Sequence, residues 1–420
     1  MYLEPPSRIA VLGAGPSGLE AGLYARYLGY HVTIYEQGEI AQAVLAWGHV
    51  RMFSPFRMNR SPLGLAALSA QNPDYTPPDD EELLTGREWR DRYLLPLAQS
   101  DLIAGNLRMA NRIVSVGRQS LCKQEQPANP ARARDPFRIL IRDRDGRERV
   151  EPASAIIDTM GVGSRPNWLG PGGCPAVGEL ASTDSIEYRL PDVRGGDRMR
   201  YENQRILVVG SGYSAATNVV ALAELAQAAP QTAVTWITRR SNTASAGPIP
   251  EIEGDALDER AGLTRRANQL ATSVDSPVNH RPATWVESLE RDPVTETWTV
   301  SLGGAQAGPH VFDQVLANVG FRPDREPCRE LQVHECFASE GPIKLAAELL
   351  GQASVDCLKM IGGDASSLVS SEPNYYVLGA KSYGRHSQFL VAAGLTQIRD
   401  LFTLIGGRPD LDLYDSATAL

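Results

Sequence analysis

The sequence predicts an α/β protein with two Rossmann-like dinucleotide-binding domains, the first of them discontinuous. Three observations predict it. A pattern of apolar strand, glycine turn and helix opens at Arg8-Ile-Ala-Val-Leu and returns at Arg205-Ile-Leu-Val-Val. The motif keeps its spacing in both copies: Gly13, Gly15 and Gly18, then Gly210 and Gly212 with Ala215 at the third position, the first glycines lying 197 positions apart. Two further apolar strands end on glycine, Ala155-Ile-Ile157 running to Gly161 and Val315-Leu-Ala running to Gly320. If those two glycines mark the switches between domains, residues 1–165 and 320–420 form the first domain and 166–319 the second.

In the first unit each residue has a physical task. Gly13 makes the tight turn, Gly15 lets a pyrophosphate approach the backbone, and Gly18 lets the helix sit close on the strand. Pro16 and Ser17 open that helix, whose free N–H groups and positive dipole end suit phosphate. The next strand, His31-Val-Thr-Ile-Tyr35, ends on Glu36, 23 positions after Gly13. A carboxylate there is placed to accept hydrogen bonds from ribose hydroxyls.

Further along, Trp47 to Arg60 is aromatic, basic and broken by Gly and Pro. It reads as a loop lining a pocket. A helix is expected from about Thr85, with Trp89, Tyr93, Leu94 and Leu97 on its core face. From Leu107 to Val150 the period changes to two, with strands at 113–116 and 137–141 and a hairpin turn at Asp145-Gly146. The polar, Pro-rich piece 124–135 reads as a mobile hairpin tip. Gly/Pro-rich residues 166–178 are the expected domain crossing.

The second unit, Gly210-Ser211-Gly212-Tyr213-Ser214-Ala215, differs from the first in one informative way. Its second strand, Ala233-Val-Thr-Trp-Ile237, ends in Thr238-Arg239-Arg240 and not in an acid. A 2′-phosphate repels a carboxylate, whereas guanidinium groups bind it through charge-assisted, often bidentate hydrogen bonds. The first unit therefore suits a dinucleotide with free ribose hydroxyls and the second suits NADPH. The economical pairing is FAD in the first and NADPH in the second, with hydride passing between them.

Composition narrows the partners. Over 420 residues, 42% hydrophobic and 22% charged content describe a globular chain, and a net charge of -9 argues against nucleic acid or anionic membrane. There is no apolar run long enough to span a bilayer. With only seven residues before the first strand, the expectation is a cytoplasmic protein without a signal peptide. The five cysteines, Cys122, Cys174, Cys328, Cys336 and Cys357, form no Cys-x-x-Cys or Cys-x4-Cys pair. They read as inert thiols, and no metal site is expected.

Together the two glycine fingerprints, the glycine-ended strands and the tail Asn374-Tyr-Tyr-Val-Leu-Gly379 resemble the two-dinucleotide-binding-domain flavoproteins. That superfamily includes flavin-containing and N-hydroxylating monooxygenases and pyridine-nucleotide disulfide reductases. The stretch Asp184-Ser-Ile-Glu-Tyr188-Arg189 is similar to the His-x-x-x-Tyr-Lys signature of flavin-containing monooxygenases, with Asp for His and Arg for Lys. The missing cysteine pair sets the chain apart from the disulfide reductases. The resemblance implies a single-component monooxygenase in which NADPH reduces FAD. Molecular oxygen then forms a flavin hydroperoxide that oxygenates an N or S centre of a small molecule. The alternative is an NAD(P)H-dependent reductase passing electrons to a small molecule or partner protein. Gly379 matches the position where a strand end meets the flavin ribityl chain, with Ala380 in place of the usual Asp. Gly161 and Gly320 join the cofactor-binding set. Asn59, Lys381 and Arg385 lie in loops expected near the ring and are the candidate catalytic residues. A homodimer is also implied by resemblance.

Overall fold

The structure is a computed structural model and describes residues 2–241, 247–352, 356–359 and 363–418. The chain divides into two units, Met1–Arg165 with Arg322–Leu420, and Pro166–Phe321. The second crossing falls two residues beyond the position expected from the glycine-ended strands.

The first unit is built on a parallel five-stranded sheet. Its order is Tyr375–Val377, Ala155–Asp158, Arg8–Leu12, His31–Tyr35, Leu107–Arg108. The central strands are apolar along their whole length because both faces are covered. On one face the Pro16–Tyr27 and Val391–Gly406 helices bury Leu19, Leu23, Tyr24, Ile398, Leu401 and Phe402 against Ile9, Val11 and Ile34. The Tyr24 and Phe402 rings stack with centroids 5.0 Å apart. On the other face the antiparallel strands Arg112–Arg118, Phe137–Arg142 and Glu148–Ala153 pack Val116, Ile139 and Ile141 on Ala10 and Leu12. The hairpin turns at Gly146, whose φ is +81°.

The helix expected near Thr85 is present but irregular. Thr85 and Glu88 form a reciprocal capping box at the start of Gly86–Trp89. The path then widens into a π segment, Arg90–Leu94, before Leu95–Ala98. Trp89, Tyr93, Leu94 and Leu97 are all buried, as the helical spacing requires.

Residues 124–135 correct an expectation. Their polar, Pro-rich composition suggests a mobile tip, yet Pro130–Arg134 is a 3-10 helix and Arg132 is fully buried. The Arg132 guanidinium meets the Glu372 carboxylate at 3.1 Å, and Arg118 reaches the same carboxylate at 2.7 Å. Gln332 N adds a third donor at 2.8 Å. Removing one partner from such a buried group leaves uncompensated charge, a loss of about 3–5 kcal/mol. The segment is therefore anchored from 240 residues away.

The second unit repeats the plan in miniature. Its parallel sheet runs Val278–Arg281, Ala233–Ile237, Arg205–Val209, Gln314–Ala317. The antiparallel strands Thr284–Arg291, Trp298–Gly304 and Gly308–Phe312 pack Val286, Trp298 and Val300 against Leu207, Val209 and Ile237. Among the described residues, no helix is long and apolar enough to cross a membrane.

Candidate functional sites: two glycine cradles and a buried ion pair

In the first unit the Pro16–Tyr27 helix starts inside the glycine motif, with Gly15 as an uncapped N-cap. Its first-turn N–H groups therefore have no side chain closing them off. The three glycines differ in what surrounds them. Gly13 has φ +98°, and a Cβ there would lie 3.0 Å from Thr159 O. A Cβ on Gly18 would fall 1.9 Å from Gly13 O, so helix and turn are in direct backbone contact. A Cβ on Gly15 would meet nothing within 4 Å. That open face is where backbone can approach a pyrophosphate, so the cradle fits the group.

Glu36 closes the mouth of this cradle. Its Oε2 accepts from Ala14 N and its Oε1 from Gly38 N, each at 2.9 Å. Both bonds fix the carboxylate beside the turn and leave lone pairs for ribose hydroxyls. From the far end of the chain, Gly379 adopts φ +70° and sits against Ser17, whose Oγ would lie 2.7 Å from a Cβ there. Gln397, on the Val391–Gly406 helix, holds this loop by accepting from Gly379 N at 2.9 Å and donating to Ser382 Oγ at 2.9 Å. Gly161 has φ +70° and faces open space.

The second cradle has the same backbone with a different rim. Gly210 has φ +135°, and a Cβ there would lie 2.2 Å from Asn318 O. Its carbonyl is anchored by Trp236 Nε1 at 2.8 Å. Gly212 is the uncapped N-cap of the Tyr213–Ala228 helix, and its missing side chain again faces open space. Ser211 and Ser214 are exposed and Tyr213 is half-buried on that first turn. Gly320, with φ +83°, ends the strand beyond Ala317. Arg239 and Arg240 are exposed just past the Ala233–Ile237 strand and form no ion pair among the described residues. Behind them Thr238 Oγ1 meets His280 Nε2 at 3.0 Å, and burial pushes His280 down to about 4, which keeps it neutral at pH 7.

The three candidate catalytic residues do not gather. Asn59 is buried and spends its side-chain amide N–H groups on Ser54 O, Ser54 Oγ and Pro55 O, while its backbone carbonyl accepts from Trp89 Nε1 at 3.0 Å. Arg385 is exposed and reaches Glu340 at 3.0 Å. Lys381 alone enters a cluster. Its Nζ lies 2.6 Å from Asp158 Oδ2, which also accepts from Tyr375 OH at 2.6 Å and Cys328 Sγ at 3.6 Å. Burial works against the Lys381 charge, and the adjacent Asp158 carboxylate more than offsets it, so its pKa rises. Burial pushes the Cys328 thiol up to about 12, which keeps it protonated. Lys381, Tyr375, Cys328 and Val377 line a cavity of about 240 Å³ rimmed by Arg325 and Glu335.

Sequence reasoning missed Asp158, Gln397, Trp236 and His280. Asp158 alone carried a local signal, as an acid in an otherwise apolar strand that ends at a glycine. Tyr188, singled out with Arg189, donates to the buried Glu179 at 2.8 Å. Glu187 beside it pairs with the Gln314–Ala317 strand.

This is the fold of the two-domain Rossmann flavoproteins. Among solved structures, the chain is similar to the bacillithiol disulfide reductase Bdr of Bacillus cereus. That similarity has a TM-score of 0.67 at 15% identity and covers 96% of this chain and 99% of that one. It is similar to the ornithine N-hydroxylase of Kutzneria sp. 744, with a TM-score of 0.60 at 15% identity, covering 97% and 100%. A flavin monooxygenase of Stenotrophomonas maltophilia gives 0.53 at 21% identity, covering 96% and 98%. By sequence, no family model and no curated protein matches.

Proposed function

We propose that the protein is an FAD-dependent, NADPH-using oxidoreductase that oxygenates an N or S centre of a small molecule. The observation that carries the reading is the pair of cradles with opposite rims, Glu36 on one and Arg239 with Arg240 on the other. Gly13, Gly15, Pro16, Ser17, Gly18, Gly161 and Gly379 would hold FAD, with Glu36 on its ribose. Gly210, Ser211, Gly212, Tyr213, Ser214 and Gly320 would hold NADPH, with Arg239 and Arg240 on its 2′-phosphate. Bound FAD supplies a two-electron acceptor for hydride and a site at which dioxygen is reduced. The chain's own part is to orient both dinucleotides and shield the reacting centre from water.

Oxygen is favoured over a thiol as acceptor because no two cysteines are joined as a disulfide and Cys328, the buried one, is held protonated. The ornithine N-hydroxylase is described with reduced FAD, NADP+ and L-ornithine, a chemistry consistent with this reading. The similarity to a disulfide reductase favours a second reading, an NAD(P)H-dependent reductase that works without a redox cysteine pair. Oxygen uptake and product analysis with NADPH separate the two. Stoichiometric transfer of one oxygen atom to an amine or sulfide supports the first. Anaerobic turnover with a disulfide or quinone, and only peroxide under air, would replace it with the second.

A further inference from the structure

The second cradle has a third cation that its sequence motif does not contain. Arg281 ends the Val278–Arg281 strand and lies in register with Ile237, the last residue of the strand that leads to Arg239. The two strand ends stay together beyond the sheet. Thr238 N donates to Arg281 O at 3.2 Å, Thr284 N to Thr238 O at 3.0 Å and Ala283 N to Arg240 O at 3.2 Å. Three guanidinium-bearing residues thus sit on two adjoining strand ends, and no described carboxylate forms an ion pair with any of them.

Arg281 is only partly satisfied. Its Nη1 lies 3.0 Å from His310 Nε2, and its Nε is buried with no acceptor among the described residues. His310 is kept neutral, since burial and the adjacent Arg281 both lower its pKa. It can therefore hold one corner of the guanidinium without neutralising it. A buried donor without an acceptor destabilises the folded chain unless a ligand provides one. An anion with several acceptor oxygens relieves both deficits at once, the missing acceptor and the missing counter-charge. A guanidinium fork suits a phosphomonoester in particular.

We propose that Arg281, steadied by His310, is a third guanidinium of the 2′-phosphate site and sets the preference for NADPH over NADH together with Arg239 and Arg240. The inference rests on the reading of the second cradle as an NADPH site. Arg281 is a specificity residue in this account and takes no part in hydride transfer.

The test is calorimetric titration of the flavin-loaded full chain with adenosine 2′,5′-diphosphate and with adenosine 5′-monophosphate, which lacks only the 2′-phosphate. Wild type binds the diphosphate more tightly. Arg281→Met keeps the aliphatic stem and is expected to weaken the diphosphate by about tenfold or more, with the monophosphate within about twofold. Arg281→Lys, which restores the charge, recovers part of that loss. Unchanged diphosphate affinity in Arg281→Met, beside a loss in Arg239→Met, overturns the role of Arg281 and leaves the phosphate reading standing. Equal loss for both ligands in Arg281→Met shows general damage and also overturns it. If wild type does not distinguish the two ligands, the NADPH reading itself fails and the proposal falls with it.

Discussion

At the third position of the glycine motif the first cradle has Gly18 and the second has Ala215, and the surroundings explain each choice. A methyl on Gly18 would collide with Gly13 O at 1.9 Å and Thr159 Oγ1 at 2.7 Å. Ala215 already carries its methyl and is fully buried. The rims differ as well, a carboxylate fixed by two backbone N–H groups against guanidiniums without acid partners among the described residues. So does the support from buried carboxylates. The buried Glu372 of the first unit is compensated by two arginines, whereas the buried Glu179 of the second is satisfied by Leu169 N, Ala176 N and Tyr188 OH. The same backbone device thus carries different rims and is stabilised by different means. Under the proposed function, the glycines would provide each cradle and the residues beyond each second strand would select what it holds.

This contrast can be broken in a graded way. The largest effect is expected from Glu372→Ala, which strands Arg118 and Arg132 in the interior. Denaturant unfolding should show a loss of about 3–5 kcal/mol, confined to the first domain if the two unfold separately. Gly18→Ala should destabilise the first domain by about 3 kcal/mol through overpacking and release flavin on gel filtration.

Glu20 gives a comparable effect that depends on pH. It lies on the first cradle helix, where burial raises its carboxyl to about 7. The corresponding residue of the second helix is Thr217, whose hydroxyl donates to Tyr213 O. Because the folded-state pKa is raised, the neutral form is favoured in the folded chain. Its contribution to stability is complete below the unfolded value of 4.5 and is lost as pH rises through about 7. The difference across that window is about 3 kcal/mol. Glu20→Gln should flatten the stability curve between these pH values, and an unchanged slope would assign it to other groups. The smallest effect belongs to Ala215→Gly, about 1 kcal/mol from helix propensity, with the second cradle intact in a nucleotide titration.

The sequence made the glycine turns and their rims legible because strand, turn, helix and rim residue lie close together, from Arg8 to Glu36 and from Arg205 to Arg240, and obey strand and helix periods. Glu36 and Arg239 could be found by counting from the glycines. What tethers the site could not be found that way. Asp158 and Lys381 are 223 positions apart, and Arg132 and Glu372 are 240 apart. Such pairs exist only once the C-terminal strand Tyr375–Val377 joins the first sheet beside Ala155–Asp158. The same limit explains residues 124–135, whose composition is that of a loop and whose anchor lies elsewhere. The candidate catalytic residues were chosen as polar side chains in loops. That criterion does not separate a side chain that holds a loop, such as Asn59, from one that faces a ligand.

The central claim is that the two rims sort two different dinucleotides, and crossed measurements on Glu36→Ala and Arg239→Ala test it most directly. Flavin content after purification and affinity for adenosine 2′,5′-diphosphate are measured on both variants. Glu36→Ala is expected to lose FAD and keep diphosphate binding within about twofold. Arg239→Ala is expected to keep full FAD content and weaken the diphosphate by about tenfold or more. Full flavin occupancy in Glu36→Ala, or equal loss of both ligands in either variant, would contradict the sorting of ligands by rim.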